Sequence, residues 1–177
     1  MPQDAHESHR AAVENIRLRP LAEADAPALL NLYNHRDAYS RRCFRALGGE
    51  TTDLATCERA VRAAADAEKQ VDLVAVDAGG RLLGWAYVWK LDTAEPTFGL
   101  LVADHAQCRG LGRRLATTVL DVADARAVPE VQLTVVVDNA RAIGLYQRLG
   151  FIDVGSFNHG DGLDYRRMIR RRPTGGG

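Results

Sequence analysis

The sequence predicts an α/β fold in which helices flank one mixed, mostly antiparallel sheet within a single domain. Segments with the alternating apolar pattern of strands are interleaved with segments that carry the apolar period of helices. The chain has 177 residues, close to the length of one domain. Hydrophobic residues make up 46% and charged residues 26%, a composition typical of soluble globular domains. One core is therefore feasible.

The chain begins with a strand and a helix. Residues 15–21, NIRLRPL, alternate apolar and charged side chains, which predicts a short strand. Residues 22–35 then place Leu29, Leu32 and Tyr33 at helical spacing. Pro27 is compatible with this helix because it falls in the first turn.

A second helix is predicted in TTDLATCERAVRAAADA. Thr51 or Thr52 has the hydroxyl that an N-cap needs. Leu54, Cys57 and Val61 share one face of the helix. Cys57 is therefore interpreted as a core residue.

The middle of the chain predicts a hairpin and one more strand. Two apolar runs within residues 71–91 flank the glycine-containing turn 77–80. Trp85, Tyr87 and Trp89 alternate on one face of the second run, as core side chains do. PTFGLLVAD then supplies a further strand.

The second half alternates helices with strands. A helix is predicted from Leu111, then a β-branched strand over residues 131–137 and a helix over residues 139–149. Gly150 is a natural terminator of that helix. Two strands, FIDVGSF and DYRRMIRR, follow. The complete order is β-α-α-β-β-β-α-β-α-β-β.

The composition of the sequence limits the kinds of binding partner and the cellular compartment that are expected. Lys+Arg and Asp+Glu both number 23, so the charge gives no support to nucleic-acid binding. No apolar run approaches the ~20 residues that span a bilayer, so no membrane partner is expected. Three scattered cysteines without a CxxC pair predict a reducing cytoplasm. The oligomeric state, including a homodimer, stays open.

The two ends of the chain differ in composition from the rest. The polar residues 1–14 lack the apolar centre of a signal peptide and are expected to form a disordered extension. The glycine-rich residues 173–177 are expected to form a flexible tail. The predicted domain is residues 15–172.

The stretch QCRGLGRRLA, residues 107–116, joins a predicted strand to a predicted helix. The first amides of a helix lack internal partners, and the helix dipole places positive charge behind them. Gly110 and Gly112 let the backbone approach a ligand closely, and Arg109, Arg113 and Arg114 add positive charge. These features favour an anion, most plausibly a pyrophosphate. A tight turn with a solvated arginine face is the alternative.

Two other phosphate-binding patterns do not fit this corner. A Walker loop needs GxxxxGK[ST], which the sequence lacks. The dinucleotide fingerprint GxGxxG is incomplete because Leu115 stands at its third glycine.

The corner resembles the pyrophosphate loop of the GNAT family of N-acetyltransferases. That loop follows the pattern Gln/Arg-x-x-Gly-x-Gly/Ala, which Gln107, Gly110 and Gly112 match. A second family signature is similar to VDNARAIGLYQRLGF, with its fixed residues at Asn139, Leu145, Tyr146, Gly150 and Phe151. The two motifs are separated by one helix and one strand, and together they form a specific signal.

The resemblance implies a cofactor and a place for it. In the family, acetyl-CoA binds where two sheet strands splay apart, and its pantetheine runs along a strand that corresponds to FGLLVA. Main-chain groups of the strand would pair with pantetheine, and loop amides would hold the pyrophosphate. The implied cofactor-binding residues are Leu100, Leu101, Val102, Gln107, Cys108, Arg109, Gly110, Leu111, Gly112, Arg113, Asn139 and Tyr146.

The resemblance also implies catalytic roles. Tyr146 matches the tyrosine that lies near the thioester sulfur, so it is the predicted general acid; the alternative is a core aromatic residue. Asn139 either contacts the cofactor or caps the following helix. Many family members carry a glutamate as base where this sequence has Thr97. Glu95, acting directly or through water, is the first candidate in its place and Asp92 the second; a solvated loop carboxylate is the alternative for each.

The acceptor is expected to be a small-molecule amine bound between RDAYSRRCFRALGGE and the last hairpin, FNHGDGLD. The arginines of the first segment favour an anionic or aromatic amine, and a solvated loop is the alternative. His159 and Asp161 are interpreted as turn residues, as are Asp104 and His105, so no metal site is predicted. An acetyltransferase of protein lysines or N-termini and a non-catalytic acyl-CoA-binding regulator remain the alternative functions.

Overall fold

The computed structural model describes residues 16–173. The predicted extension 1–14 and residues 174–177 of the predicted tail lie outside the described residues. The seven strands are β1 (Arg17–Pro20), β2 (Val71–Val76), β3 (Leu82–Trp89), β4 (Thr97–Val102), β5 (Glu130–Val136), β6 (Ile152–Asn158) and β7 (Asp164–Arg171). The helices are α1 (Ala26–Asn34), α2 (Ala38–Cys43), α3 (Leu54–Ala63), α4 (Leu111–Ala125) and α5 (Ala140–Arg148).

The strands form one sheet in the order β1-β2-β3-β4-β5-β7-β6. Every neighbouring pair is antiparallel except β4 with β5. The predicted fold class, a mixed and mostly antiparallel sheet flanked by helices, is therefore confirmed.

The parallel pair β4–β5 separates almost at once. Its only register contact is Thr97 with Gln132, and just before it the Gln132 amide donates to the Pro96 carbonyl at 2.9 Å. Beyond that point the two strands leave main-chain groups facing a gap. This gap positions the candidate site.

The core fills the space between the sheet and the helices. α4 buries Leu115 and Val119 completely against β2 and β3. Trp85 is fully buried and Tyr87 nearly so, as their alternation predicts. Burying side chains of this size is the main source of stability in a domain of this length.

The same cluster holds a buried carboxylate that the pattern did not indicate. Asp72 accepts hydrogen bonds from the indole nitrogens of Trp85 at 2.9 Å and Trp89 at 3.1 Å, and from Gln70 at 2.7 Å. Burial raises the pKa of Asp72 above its usual range. These donors satisfy a polar group that would otherwise be costly to bury.

Two local predictions about the acceptor-side segment were wrong. α2 was expected as loop, but the Asp37 carboxylate accepts from the Ser40 amide at 2.7 Å and starts a helical turn there. The N-cap of α3 is Asp53, not Thr51 or Thr52, because Asp53 accepts from the Thr56 amide at 2.7 Å. A carboxylate is an effective N-cap since its charge also complements the helix dipole.

Candidate active site

The predicted phosphate corner is a sharp turn that opens α4. Gly110 is the N-cap in a left-handed conformation with φ of 79°, and no side chain of the described residues caps the helix there. The first α4 amide with a helical partner is that of Arg114, which donates to the Gly110 carbonyl at 3.0 Å. The amides of Leu111, Gly112 and Arg113 precede it and have no helical acceptor. The corner therefore offers a row of unused donors.

Gln107 fixes this corner to β4. Its side-chain amide donates to the Val102 carbonyl and to Asp104 Oδ1, both at 3.1 Å. The glutamine of the family pattern therefore holds the loop through its side chain, which leaves the loop backbone to face a ligand.

The strand β4 contributes main-chain groups on its open side. Ala103 donates its amide to the Leu83 carbonyl at 2.9 Å, and residues of an antiparallel pair alternate in the direction of their hydrogen bonds. Leu101 therefore turns its main-chain groups towards β3, whereas Leu100 and Val102 turn theirs towards the gap. The Gln107 side chain uses the Val102 carbonyl, so the Leu100 amide and carbonyl and the Val102 amide are free to meet a ligand.

A cavity of about 800 Å³ occupies the gap between β4 and β5. It extends from the corner before α4 to α2 and to the β6–β7 hairpin. All of the predicted cofactor-binding residues line it except Arg109 and Leu111, which line a neighbouring cavity of about 230 Å³. Leu111 is buried in the core, and Arg109 is exposed.

Tyr146 projects from α5 into this cavity. Its ring packs edge-on against Phe98 and Phe151, with centroids 5.8 and 5.9 Å away, and is only 8% exposed. Its hydroxyl has no hydrogen-bond partner within residues 16–173. Burial raises the pKa of the Tyr146 phenol above its ordinary value, so the group keeps its proton at neutral pH. The cavity thus contains a protonated donor without a partner.

Asn139 lies at the junction of β5 and α5. Its side chain accepts from the Ala142 amide at 3.2 Å and caps α5, while the residue also lines the cavity. By capping α5, Asn139 sets where the helix starts and thereby where Tyr146 lies.

The proposed base residues lie elsewhere. Glu95 has a side chain that is 64% exposed, lies 3.8 Å from the Arg167 guanidinium and is not among the residues that line the cavity. Asp92 is also exposed and outside the lining. β4 begins only at Thr97, so Glu95 precedes the strand and strand alternation does not place it beside Thr97. The structure therefore does not bring Glu95 and Tyr146 together.

Several lining residues were not predicted as site residues. Tyr87 reaches the cavity beneath Gly99, where a Cβ atom would come within 2.1 Å of the Tyr87 ring. The β6–β7 hairpin supplies His159, Asp161 and Tyr165. The resemblance placed the acceptor at this hairpin, and the structure identifies which of its side chains line the cavity.

Asp104 connects the corner to the acceptor side, a role beyond that of the predicted turn residue. Its carboxylate accepts from the Asp37 amide at 2.6 Å, the Ser40 hydroxyl at 2.5 Å and the Gln107 side chain at 3.1 Å. One charged group therefore joins the start of α2 to the loop before α4.

Comparisons of sequence identify relatives of this chain. Residues 30–151 match the model of the acetyltransferase (GNAT) family. A mycothiol acetyltransferase of Beutenbergia cavernae is 43% identical over 83 residues, which are 46% of this chain and 28% of that protein. The chain therefore spans well under half the length of this relative. The L-methionine sulfoximine/L-methionine sulfone acetyltransferase of Pseudomonas paraeruginosa is 32% identical over 140 residues, 76% of this chain and 78% of that protein.

Solved structures share the fold. Spermidine N-acetyltransferase from Vibrio cholerae, in complex with CoA and spermine, superposes with a TM-score of 0.72 at 23% identity, covering 90% of this chain and 96% of that one. The yncA protein of Salmonella typhimurium, with acetyl-CoA bound, superposes with a TM-score of 0.73 at 21% identity, covering 92% and 96%.

No helix within residues 16–173 is both long enough and apolar enough to cross a membrane. The sheet with its splayed parallel pair, the glycine corner before α4 and the family match over most of the described residues agree with one another. The chain belongs to the GNAT family of acetyltransferases.

Proposed function

We propose that the protein transfers the acetyl group of acetyl-CoA to the primary amine of a small molecule, with Tyr146 as general acid. One observation carries this proposal. A single cavity is lined both by the corner residues with unused amides before α4 and by the largely buried Tyr146, whose hydroxyl has no partner within residues 16–173. A cofactor that lies along β4 would therefore reach from its anchoring site to a proton donor.

The residues of the corner fit a diphosphate. The amides of Gly112 and Arg113 supply neutral donors, and the Arg113 side chain adds charge beside them. The free groups of Leu100 and the Val102 amide would hold the amides of pantetheine. Acetyl-CoA, when bound, supplies the thioester that donates the acetyl group.

Tyr146 provides the proton that the leaving group needs. As the amine nitrogen bonds to the acetyl carbon, the carbon–sulfur bond breaks, and the phenol gives its proton to the sulfur. An ordinary phenol has a pKa of about 10 and a thiol one of about 8.5, so this transfer needs help from the site. Burial raises the pKa of the phenol and would also raise that of the leaving thiol, so the thiolate becomes a stronger base in the same cavity.

The amine must lose a proton during the reaction. Glu95, acting through water, remains our proposal for the base, and its exposure makes a water path necessary. An amine that arrives in its neutral form needs no dedicated base.

Replacement of Tyr146 by phenylalanine tests the proposal. Tyr146→Phe keeps the ring packing against Phe98 and Phe151 and removes only the hydroxyl, so acetyl-CoA should bind with unchanged affinity in a calorimetric titration. The value of kcat should fall by about 10²–10⁴-fold, as expected for loss of a general acid. Tyr165→Phe is the matched control, because its hydroxyl already donates to Asp161 at 2.6 Å and its loss should lower kcat much less.

The same assay separates the alternatives. Turnover at the normal rate in Tyr146→Phe would remove Tyr146 as the acid. Binding of acetyl-CoA without release of thiol on any amine would favour a non-catalytic regulator. Acetylation of peptides but not of small amines would favour a protein acetyltransferase.

A further inference from the structure

The cavity is strongly biased in charge. Its charged lining residues are five arginines and one carboxylate, Asp161. The arginines are Arg42, Arg45, Arg113, Arg141 and Arg148. A ligand that leaves this cavity electrically balanced must bring negative charge.

Four of these arginines have an evident use. Arg113 lies in the corner before α4, and Arg141 reaches the same loop with its Nη1 3.0 Å from Cys108 Sγ. Both are placed for the cofactor diphosphate. Arg42 is paired with Asp138 at 2.5 Å, and Arg148 folds back along α5 towards Gly144. Arg45 remains.

Arg45, whose side chain is 32% exposed, is less fully paired than two other partly buried arginines of this protein. Arg170 holds Asp124 with two bonds of 2.7 and 2.8 Å, and Arg19 holds Asp25 with two of 2.6 and 2.7 Å. Arg45 instead makes single, longer contacts, 3.1 Å to Glu50 and 3.4 Å to Asp161. Its Nε is buried and has no partner among the described residues. A guanidinium in this state can gain a bidentate carboxylate.

The surroundings of Arg45 belong to the acceptor side of the cavity. It follows α2, and through Asp161 it contacts the β6–β7 hairpin opposite. The Tyr165 hydroxyl holds Asp161 at 2.6 Å, and that bond lowers the pKa of Asp161. Arg45 and the anionic Asp161 lie side by side at the acceptor side of the cavity. Arg45 can bind an anionic group there, and Asp161 can bind a cationic one.

We propose that the acceptor is a small primary amine that also carries a carboxylate, as an amino acid does, and that Arg45 binds this carboxylate. The inference rests on the proposed acetyl transfer and names its substrate class. A bound carboxylate would occupy the spare donors of Arg45. A polyamine would bring several positive charges to a cavity with a single carboxylate, so this chain and its spermidine-acetylating structural neighbour differ in acceptor.

Matched pairs of acceptors test the proposal. Amino acids of several side-chain types are each compared with the amine that lacks only the carboxylate, such as methionine with 3-(methylthio)propylamine, and spermidine is added. Thiol release from acetyl-CoA gives kcat/KM for each. At least one amino acid should exceed its decarboxylated partner by about 10-fold or more, and spermidine should be poor.

The Arg45→Met variant locates the preference. It should lower kcat/KM for the preferred amino acid by about 100-fold and change that of the decarboxylated amine by less than about 3-fold. Arg45→Lys keeps the charge but not the bidentate geometry. Its kcat/KM for the preferred amino acid should therefore lie between those of the wild type and Arg45→Met. Arg171→Met, at an exposed arginine of β7 paired with Glu130, is the control and should behave as the wild type.

Each outcome has one meaning. Equal rates within every pair, or a carboxylate preference that persists in Arg45→Met with normal acetyl-CoA binding, overturn the inference and leave the acetyltransferase proposal intact. The wild-type pairs decide the substrate class even if the variants do not fold. Absence of turnover on every amine overturns the proposed function, and the inference with it.

Discussion

At the scale of single residues, one sequence pattern predicted side chains that do different work. Gln107 and Gly110 are both fixed places of the loop pattern. The Gln107 side chain fixes the loop by hydrogen bonds to Val102 and Asp104. Gly110 adopts the left-handed conformation that a side chain would strain. The pattern identified both residues. Only the contacts in the structure distinguish Gln107, whose side chain holds the loop in place, from Gly110, whose backbone lines the cavity.

The raised pKa of Tyr146 leads to a prediction about pH. A general acid works only while protonated, and burial shifts loss of this proton to higher pH. The value of kcat should therefore show no decline below pH of about 10, the ordinary pKa of a phenol. On the acidic side the rate should rise with pH as the amine loses its proton.

A rate assay from pH 6 to 10 with wild type, Tyr146→Phe and Glu95→Gln checks both limbs. A decline of kcat centred well below pH 10, present in wild type and lost in Tyr146→Phe, would contradict the raised pKa. A rate that Glu95→Gln leaves unaltered at every pH would remove Glu95 as the base.

At the scale of elements, strands and long helices were predictable and the acceptor-side segment was not. The helix α2 has six residues, too few for an apolar period to show. Its neighbourhood is ordered by Arg36, which is buried and donates to the carbonyls of Tyr33, Phe44 and Glu50 at 2.5, 2.7 and 2.8 Å. An arginine that binds main-chain carbonyls leaves no complementary acidic residue in the sequence to reveal it.

The contacts of Asp104 predict a link between α2 and the cofactor loop. Asp104→Asn replaces one acceptor oxygen by a donor that faces other donors, so α2 and Gln107 should both loosen. We expect acetyl-CoA affinity to fall and the KM of the amine to rise, each by about 10-fold, with unfolding easier by about 1–3 kcal/mol. Calorimetry, amine kinetics and urea unfolding measure these changes.

Asp66→Asn is the control for this link, because Asp66 lies in a turn after α3 and does not line the cavity; its carboxylate pairs with exposed Lys69 at 3.0 Å and accepts from the Glu68 amide at 3.2 Å. The link would be contradicted if Asp104→Asn bound acetyl-CoA and the amine with the same affinities as the Asp66→Asn control.

At the scale of the whole molecule, the order of elements and the family fold followed from the sequence, because hydrophobic periods are local signals. The composition of the cavity did not follow from the sequence. Arg45 and Asp161 stand 116 positions apart, and although the family resemblance places the acceptor between their two segments, no local pattern indicates that these two side chains meet. Glu95 shows the converse, since its position before the loop suggested a place in the site, yet it precedes β4 and does not line the cavity.

The central claim is that the main-chain amides before α4 hold the diphosphate of acetyl-CoA in the gap between β4 and β5. Amide resonances in a nitrogen-edited NMR titration report on it most directly. Coenzyme A should shift the amides of Gly110, Gly112 and Arg113 strongly, and pantetheine, which lacks the diphosphate, should move those of β4 but leave the corner nearly unchanged. Binding of coenzyme A with the three corner amides unmoved would contradict the account.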